Sequence, residues 1–391
     1  MNGIGARLKL ARRMAQLSQR ELAERVGVSA MSISKYERDE AMPSSDVLIR
    51  LAAALDVPLE FLLRPATELR LRPVYRKRHS LRKKAEAKLQ AQIQEWLERY
   101  LDAEALLPPA ERLTFEMPPH FPYPVRSLAD AEAAAEMLRE AWRIGEAPVE
   151  NMVELLEDHG VKVGVVEADE HFDACTFHAE DGHPQPVIAL CGDLPADRAR
   201  FSLAHELGHL VLAVSPNVDE EKAANRFAGA FLVPATVARR ELGATRRYID
   251  PDELLSLKAK YGLSASAWVY RARDLGIISP RRAQALWKKL DANGWRKNEP
   301  NPLPPEKPAR LERLIWRLVA EEMISEARAA ELLGVSLGEY LQQRERRYAQ
   351  SPQNTAADGD RHQRDPGLSS RRVAAEPLRA ALLLPGPGYY H

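Results

Sequence analysis

The chain has 391 residues, 45% of them hydrophobic and 29% charged, with 56 Lys/Arg balanced by 56 Asp/Glu. Its length asks for more than one domain, since a single core seldom grows past about 250 residues. The apolar runs are too short to cross a bilayer, no signal peptide is visible, and two cysteines, Cys175 and Cys191, exclude a disulfide scaffold.

A soluble protein without a membrane partner is therefore expected, in a reducing cytoplasm. The neutral total hides an asymmetry. Residues 1–84 hold 18 Lys/Arg against 9 Asp/Glu, a clue to a nucleic-acid partner. Over residues 1–65 the pattern is a series of short amphipathic helices. Ser18 is a plausible N-cap with Glu21 at the reciprocal capping-box position, and Gly27 ends that short helix. Ser29 caps the next, "AMSISKYERD", where Ile33 and Tyr36 can face inward while Ala30, Met31, Ser32, Ser34 and Lys35 point out. Two short helices joined by a Gly turn make a helix-turn-helix, whose second helix suits the major groove. The run "LSQRELAERVGVSAMSISKYERDEAMPSSDVLIRLAAAL" resembles the lambda-repressor/Cro-type (XRE) family. That resemblance implies a five-helix domain that binds double-stranded DNA. It makes Gln19, Ser29, Met31, Ser32, Ser34 and Lys35 candidates for contacts to bases, phosphates or both.

Residues 66–126 read as a basic, helix-prone connector, centred on "RPVYRKRHSLRKKAEAKLQAQIQEWLERYLDAEALL" over 72–107. Its Arg/Lys run reads as a solvated helix face. Residues 127–280 open with the helical patterns "LADAEAAAEMLREAW" and "VENMVELLEDHG". The β-rich runs "VKVGVVE", "DACTFHA" and "PVIAL" follow, and then two more helices. Residues 281–348 are helical around a Pro-rich loop, "NEPNPLPPEKP", and include "ISEARAAELLGVSLGEYL", which resembles a small helix-turn-helix-like bundle. Residues 349–391 have a disordered composition. No internal repeat is evident, and the fold class is mainly α with a small sheet (α+β).

Within "FSLAHELGHLVL" the order H-E-x-x-H sets His205 and His209 four apart, one above the other on a helix face. Two imidazoles can meet one ion there. Glu206 sits beside it as the base that takes a proton from water and passes one to a leaving amine. The bland reading is a pair of structural histidines. Against it stand Gly208 and the apolar flanks Phe201, Leu203, Leu207, Val211 and Leu212, which bury the helix. The next helix offers a third ligand in Glu221, whose bland reading is an exposed first-turn glutamate favouring the helix dipole. Ala224, Phe227, Ala228 and Phe231 mark the buried face of that helix, and Glu221 lies three residues before Ala224. Asp219 and Glu220 are turned about 200° and 100° away from that face, and Glu253 belongs to a separate helix. His171, His178 and His183 match no standard zinc spacing and read as loop or strand-surface residues. The cysteines read as small packed hydrophobes, with a metal-protecting thiol on "DACTF" as the minority alternative.

"RARFSLAHELGHLVL" followed by "EEKAANRFAGAFLVP" resembles the ImmA/IrrE family of zinc metallopeptidases. The likeness extends through "LLSLKAKYGLSASAWVYRARDLGIIS", over roughly residues 130–280. It implies a minimal, gluzincin-like zincin. His205, His209 and Glu221 would hold one zinc, with manganese as the alternative ion, and Glu206 would be the base. The implied substrate is a transcriptional repressor or related regulator in a bacterial cytoplasm. A homodimer on an inverted repeat is the expected DNA-bound form. The reading from another class is a non-proteolytic repressor or antitoxin, with a toxin as partner, whose protease-like domain only senses a ligand.

Overall fold

The computed structural model describes residues 3–65, 69–73, 83–168, 172–180, 184–295 and 298–350. Two compact units divide the chain, Met1–Leu337 and Gly338–His391. In chain order the first begins with five helices: α1 (Gly5–Met14), α2 (Gln19–Val26), α3 (Ala30–Glu37), α4 (Ser45–Leu55) and α5 (Leu59–Leu63). Next come β1 (Arg70–Pro73), the long α6 (Lys83–Ala105), a 3-10 turn at Pro109–Glu111, β2 (Tyr123–Val125), α7 (Leu128–Ala141) and α8 (Met152–Asp158). The strands β3 (Lys162–Val166), β4 (Ala174–Glu180) and β5 (Pro184–Cys191) lead into α9 (Ala196–Val211), β6 (Leu212–Val214) and α10 (Glu220–Leu232). The helices α11 (Ala235–Leu242), α12 (Pro251–Tyr261), α13 (Ala265–Asp274), α14 (Pro280–Ala292), α15 (Arg310–Ala320) and α16 (Glu326–Leu333) complete it, and α17 (Leu337–Gln350) opens the second unit. The described chain is mainly α with a small sheet, as its patterning indicates. No described helix is long and apolar enough to cross a membrane. The tail beyond residue 350 lies outside the described residues.

Local signals account for the first five helices. Ser18 accepts from the Glu21 N–H while the Glu21 carboxylate accepts from the Ser18 N–H, and Gly27 closes α2 in the left-handed conformation at φ 73°. Ser29 caps α3 by accepting from the Ser32 N–H. Leu8, Leu22, Ile33, Leu51 and Leu62 are fully buried and form this domain's own core. The same capping device recurs far downstream. Ser325 caps α16 and Gly334 ends it at φ 72°, again before Val and Ser. The expectation of no internal repeat is corrected over that short stretch. Residues 324–336 copy 17–29 in cap and turn, with six of the thirteen residues identical.

The four-stranded sheet runs in the order β1-β4-β5-β3, antiparallel except for the β3–β5 pair, and β2 pairs with β6 in parallel. Side chains alternate across a strand, and here the alternation separates two cores. Cys175, Phe177, Ala179, Val187, Ala189 and Cys191 face a layer shared with Leu89, Ile93, Leu97 and Tyr100 of α6. Ala174, Ile188 and Leu190 face the larger core with Leu203, Leu207, Phe227 and Trp268. The stretch read as a connector therefore supplies an edge strand and a core helix. Local propensity could not reveal β1, because "RLRP" is short, basic and ended by proline, and it becomes a strand only by pairing with β4.

Ion pairs buried along α6 join it to the helix-turn-helix. Arg7, 2% exposed, meets Glu98, 3% exposed, and the Arg64 guanidinium reaches Glu95 at 3.3 Å. Removing one partner of such a pair strands a buried charge. Glu98→Ala is expected to lower unfolding free energy by about 3–5 kcal/mol, read by urea denaturation. The apolar pair Arg7→Met with Glu98→Leu is expected to recover most of that loss. A Glu98→Ala midpoint equal to wild type would show that the pair is solvated.

Candidate metal centre and nucleic-acid interface

α9 is buried on almost every side, and His205 (1% exposed), Glu206 (5%) and His209 (8%) lie in its last two turns. Such a helix is apolar all round except where polar side chains have partners. Gly208 lets α10 come close. A Cβ there would stand 3.1 Å from Phe227 Cδ1 and 3.3 Å from the Ala224 Cα. That approach carries Glu221, in the first turn of α10, to the two imidazoles.

His205 Nε2 and His209 Nε2 are 3.0 Å apart. Glu221 Oε2 stands 3.7 Å from His205 Nε2, and its Oε1 stands 3.5 Å from His209 Nε2. A tetrahedral ion with bonds of about 2.0–2.1 Å requires ligand–ligand edges near 3.3–3.4 Å. The three side chains fit a single metal ion on that test, and they form the one such His/Cys/Asp/Glu group found among the described residues. His205 Nδ1 lies 2.9 Å from Asn225 Oδ1. An amide oxygen only accepts, so Nδ1 carries the proton and the Nε2 lone pair is turned to the site. Burial pushes the His209 imidazole down, but the carboxylates of Glu221, Glu206 and Glu220 outweigh it and hold its pKa above the usual value. This concentration of negative charge is what a bound dication would neutralise.

Glu206 is held from the sheet. Both the backbone N–H and the hydroxyl of Thr176 on β4 donate to Glu206 Oε2, each at 2.9 Å. Neither Thr176 nor Asn225 stood out in the sequence. Asn225 follows Glu221 by four, a spacing that could have placed it on the same face, whereas Thr176 is 30 residues away on another element.

Glu220 departs from the rotation argument. Although half-exposed, its carboxylate stands 3.4 Å from His209 Nδ1, on the far side of the ring from the other ligand atoms. A first-turn glutamate can bend back over the next element, and helix angle alone does not capture that reach. Asp219 is the N-cap of α10, accepting from the Lys222 N–H, and Glu253 pairs with Arg246 at 2.8 Å. Cys175 and Cys191 are buried in the layer beneath α6. Strand alternation thus turns the Cys175 thiol away from the face that carries Thr176, which overturns the metal-protecting alternative. His178 is half-buried on β4, and His171 and His183 lie outside the described residues.

Along α3, Met31 is 64% exposed and Lys35 is exposed, while Ser32 and Ser34 are half-buried. The hydroxyls of Ser29 and Ser32 are 2.9 Å apart. Gln19 Nε2 donates to Glu37 at 2.8 Å, so its side chain is tied to the end of α3.

Residues 8–62 match the helix-turn-helix family model, and residues 156–273 match that of the IrrE N-terminal-like domain. The chain carries an XRE-type helix-turn-helix joined to an IrrE/ImmA-like, metallopeptidase-like domain. Among curated proteins it is 38% identical over 60 residues to the HTH-type transcriptional regulator ImmR of Bacillus subtilis, covering 15% of this chain and 47% of that one. It is 47% identical over 55 residues to a putative HTH-type transcriptional regulatory protein of Pyrococcus furiosus, covering 14% and 18%. An uncharacterized HTH-type transcriptional regulator of Mycobacterium tuberculosis is 46% identical over 58 residues, covering 15% and 41%. The chain spans less than half the length of each of these relatives.

Metal retention should rank the side chains. Dialysed against a mild chelator, Glu221→Ala is expected to lose zinc and Asn225→Ala to bind it about 10–100-fold more weakly. Glu220→Ala is expected to fall between Asn225→Ala and wild type. Elemental analysis reads the outcome, and zinc lost from Glu220→Ala but kept by Glu221→Ala would reverse the assignment.

Proposed function

We propose that this protein is a DNA-binding transcriptional regulator whose central domain is a zinc endopeptidase that cuts a repressor or related regulatory protein. The observation that carries this reading is the convergence of His205, His209 and Glu221, with Glu206 held beside them by Thr176. A zinc ion on that triad would polarise a peptide carbonyl and acidify water. Glu206 is the group placed to accept the proton and to return it to the departing amine. The two Thr176 bonds fix its carboxylate in one orientation, which is what a proton carrier needs during attack and departure. The Nδ1–H bond from His205 to Asn225 turns the His205 Nε2 lone pair toward the site, as ligation needs. A role confined to ligand sensing gives no account of why a carboxylate is buried and oriented at this position.

At the other end of the chain, α3 is the helix proposed to enter the major groove, with Met31 and Lys35 outermost and Gln19, Ser29, Ser32 and Ser34 near the backbone. Ser29 carries a second duty as the cap of α3, so its replacement would also fray the reading helix.

Glu206→Gln is expected to keep its zinc and to lose about 10²–10⁴-fold in cleavage rate, because an amide cannot take up the proton. Elemental analysis beside a cleavage assay with a candidate repressor tests this. Full activity of the variant would remove Glu206 from the mechanism.

The full chain is expected to bind a selected duplex with an affinity that falls steeply with salt, as released counterions require. Ser32→Glu combined with Ser34→Glu should abolish that binding through repulsion from phosphates. Salt-independent binding in a gel-shift series would argue for a protein-docking role instead.

A further inference from the structure

β1 joins the sheet on the outer edge of β4, the strand that packs against α9. Its register pairs Arg70 with Glu180, Leu71 with Ala179, Arg72 with His178 and Pro73 with Phe177. Followed one step further along β4, that register arrives at Thr176. The Thr176 N–H donates to Glu206 Oε2. An extended peptide that presents a bond to Glu206 and adds to this sheet must run along the same edge, because strand addition needs a row of backbone donors and acceptors. The opposite edge, β3, packs against α6 and α8 and lies two strands away.

β1 is also suited to leave. It is four residues long, and Leu69 and Leu71 are its contributions to the apolar layer under α6. It ends in proline, which has no N–H for a ladder. It follows directly on the helix-turn-helix, whose own attachment to α6 runs through Arg7–Glu98 and Arg64–Glu95 and does not require β1.

We propose that β1 is a displaceable occupant of the seat for an extended substrate strand, so that the linker from the DNA-binding domain closes the cleft until it leaves β4. The inference rests on the endopeptidase reading for its purpose, but the seat can be tested without catalysis. The probe is a fluorescent peptide copying residues 69–76, titrated into full-length Glu206→Gln protein. Adding Arg72→Pro, which removes the strand donor opposite His178, is expected to tighten peptide binding at least tenfold. A disulfide between Leu71→Cys and Ala179→Cys, which face each other across the pair, is expected to weaken it, and reduction should restore it.

Hydrogen exchange on the chain without either β1 change gives a measurement that does not depend on how those variants fold. The amides of residues 70–72 should lose protection when the peptide saturates. Equal affinity with and without Arg72→Pro, no peptide binding at all, or peptide bound while those amides stay protected would each overturn the proposal. With Glu206 intact, Arg72→Pro is expected to speed casein cleavage at least fivefold. Casein left uncut by both proteins, with the peptide results as expected, would sink the endopeptidase reading and leave the strand seat standing.

Discussion

The approach of α9 to α10 at Gly208 is the constraint from which the rest of the central domain follows. Two helices bearing ordinary side chains pack with axes 8–10 Å apart. A metal site built across them needs donor atoms within a few ångströms. Glycine on α9 opposite Ala224 on α10 brings the backbones near enough for a short carboxylate, Glu221, to reach both imidazoles. A Cβ at Gly208 would press on the Ala224 backbone, which cannot swing aside as a side-chain tip can. The pressure would pass directly into the 3.5–3.7 Å spacings around Glu221.

Burying α9 on all sides carries a polar cost, and the fold meets it with partners drawn from distant parts of the chain. Arg200 and Asp197, buried in the first turns, are matched by Glu306 and Lys258. Lys258 in turn takes Glu299 at 3.0 Å. Glu299 and Glu306 both come from the Pro-rich loop after α14. That loop acts as a strap, and Glu306 also accepts from the Met152 N–H at the start of α8. Isolated charges at this depth would be strongly unfavourable, whereas paired and hydrogen-bonded ones are tolerated. The strap therefore helps α9 stay in place without lining the candidate metal site.

These relations explain what could be read from the residues alone. The H-E-x-x-H spacing, the Glu221 position and the capping boxes are local, set by helical period and by neighbours three or four apart, and the residues fall where that period puts them. Thr176, β1, Glu299 and Glu306 act across 30 residues or more, and one sequence offers no periodicity from which such partnerships can be computed. Glu220 failed for a different reason. The angular argument placed its Cα well enough, but a glutamate has two methylenes with which to turn back toward His209. Thr176 is instructive in another way. The alternation of "DACTFHA" already assigns Cys175, Phe177 and Ala179 to one face and Thr176 to the other. What that pattern could not say was which helix the Thr176 face meets.

α6 sets how the two domains share one chain. It carries Glu98 and Glu95 toward the helix-turn-helix, Glu104 toward buried Lys162 on β3, and Arg99 toward the carbonyl of Leu332 on α16 at 3.1 Å. Glu95 takes Arg64 and Arg99 together, so one carboxylate links the end of the DNA-binding domain to the helix that braces α16. Tyr100, one turn before Glu104, lies under the Lys162 ammonium at 4.8 Å, and burial raises its hydroxyl pKa. A rigid strut of this kind does not by itself make an allosteric device, since coupling requires an element with two arrangements that both sites bias. The strut's ion pairs are largely buried, so moving it would strand charges away from water. What adjoins it is short, at an edge and proline-ended, namely β1. Any communication between DNA and the cleft is therefore better sought in that strand than in the helix that holds the two domains together.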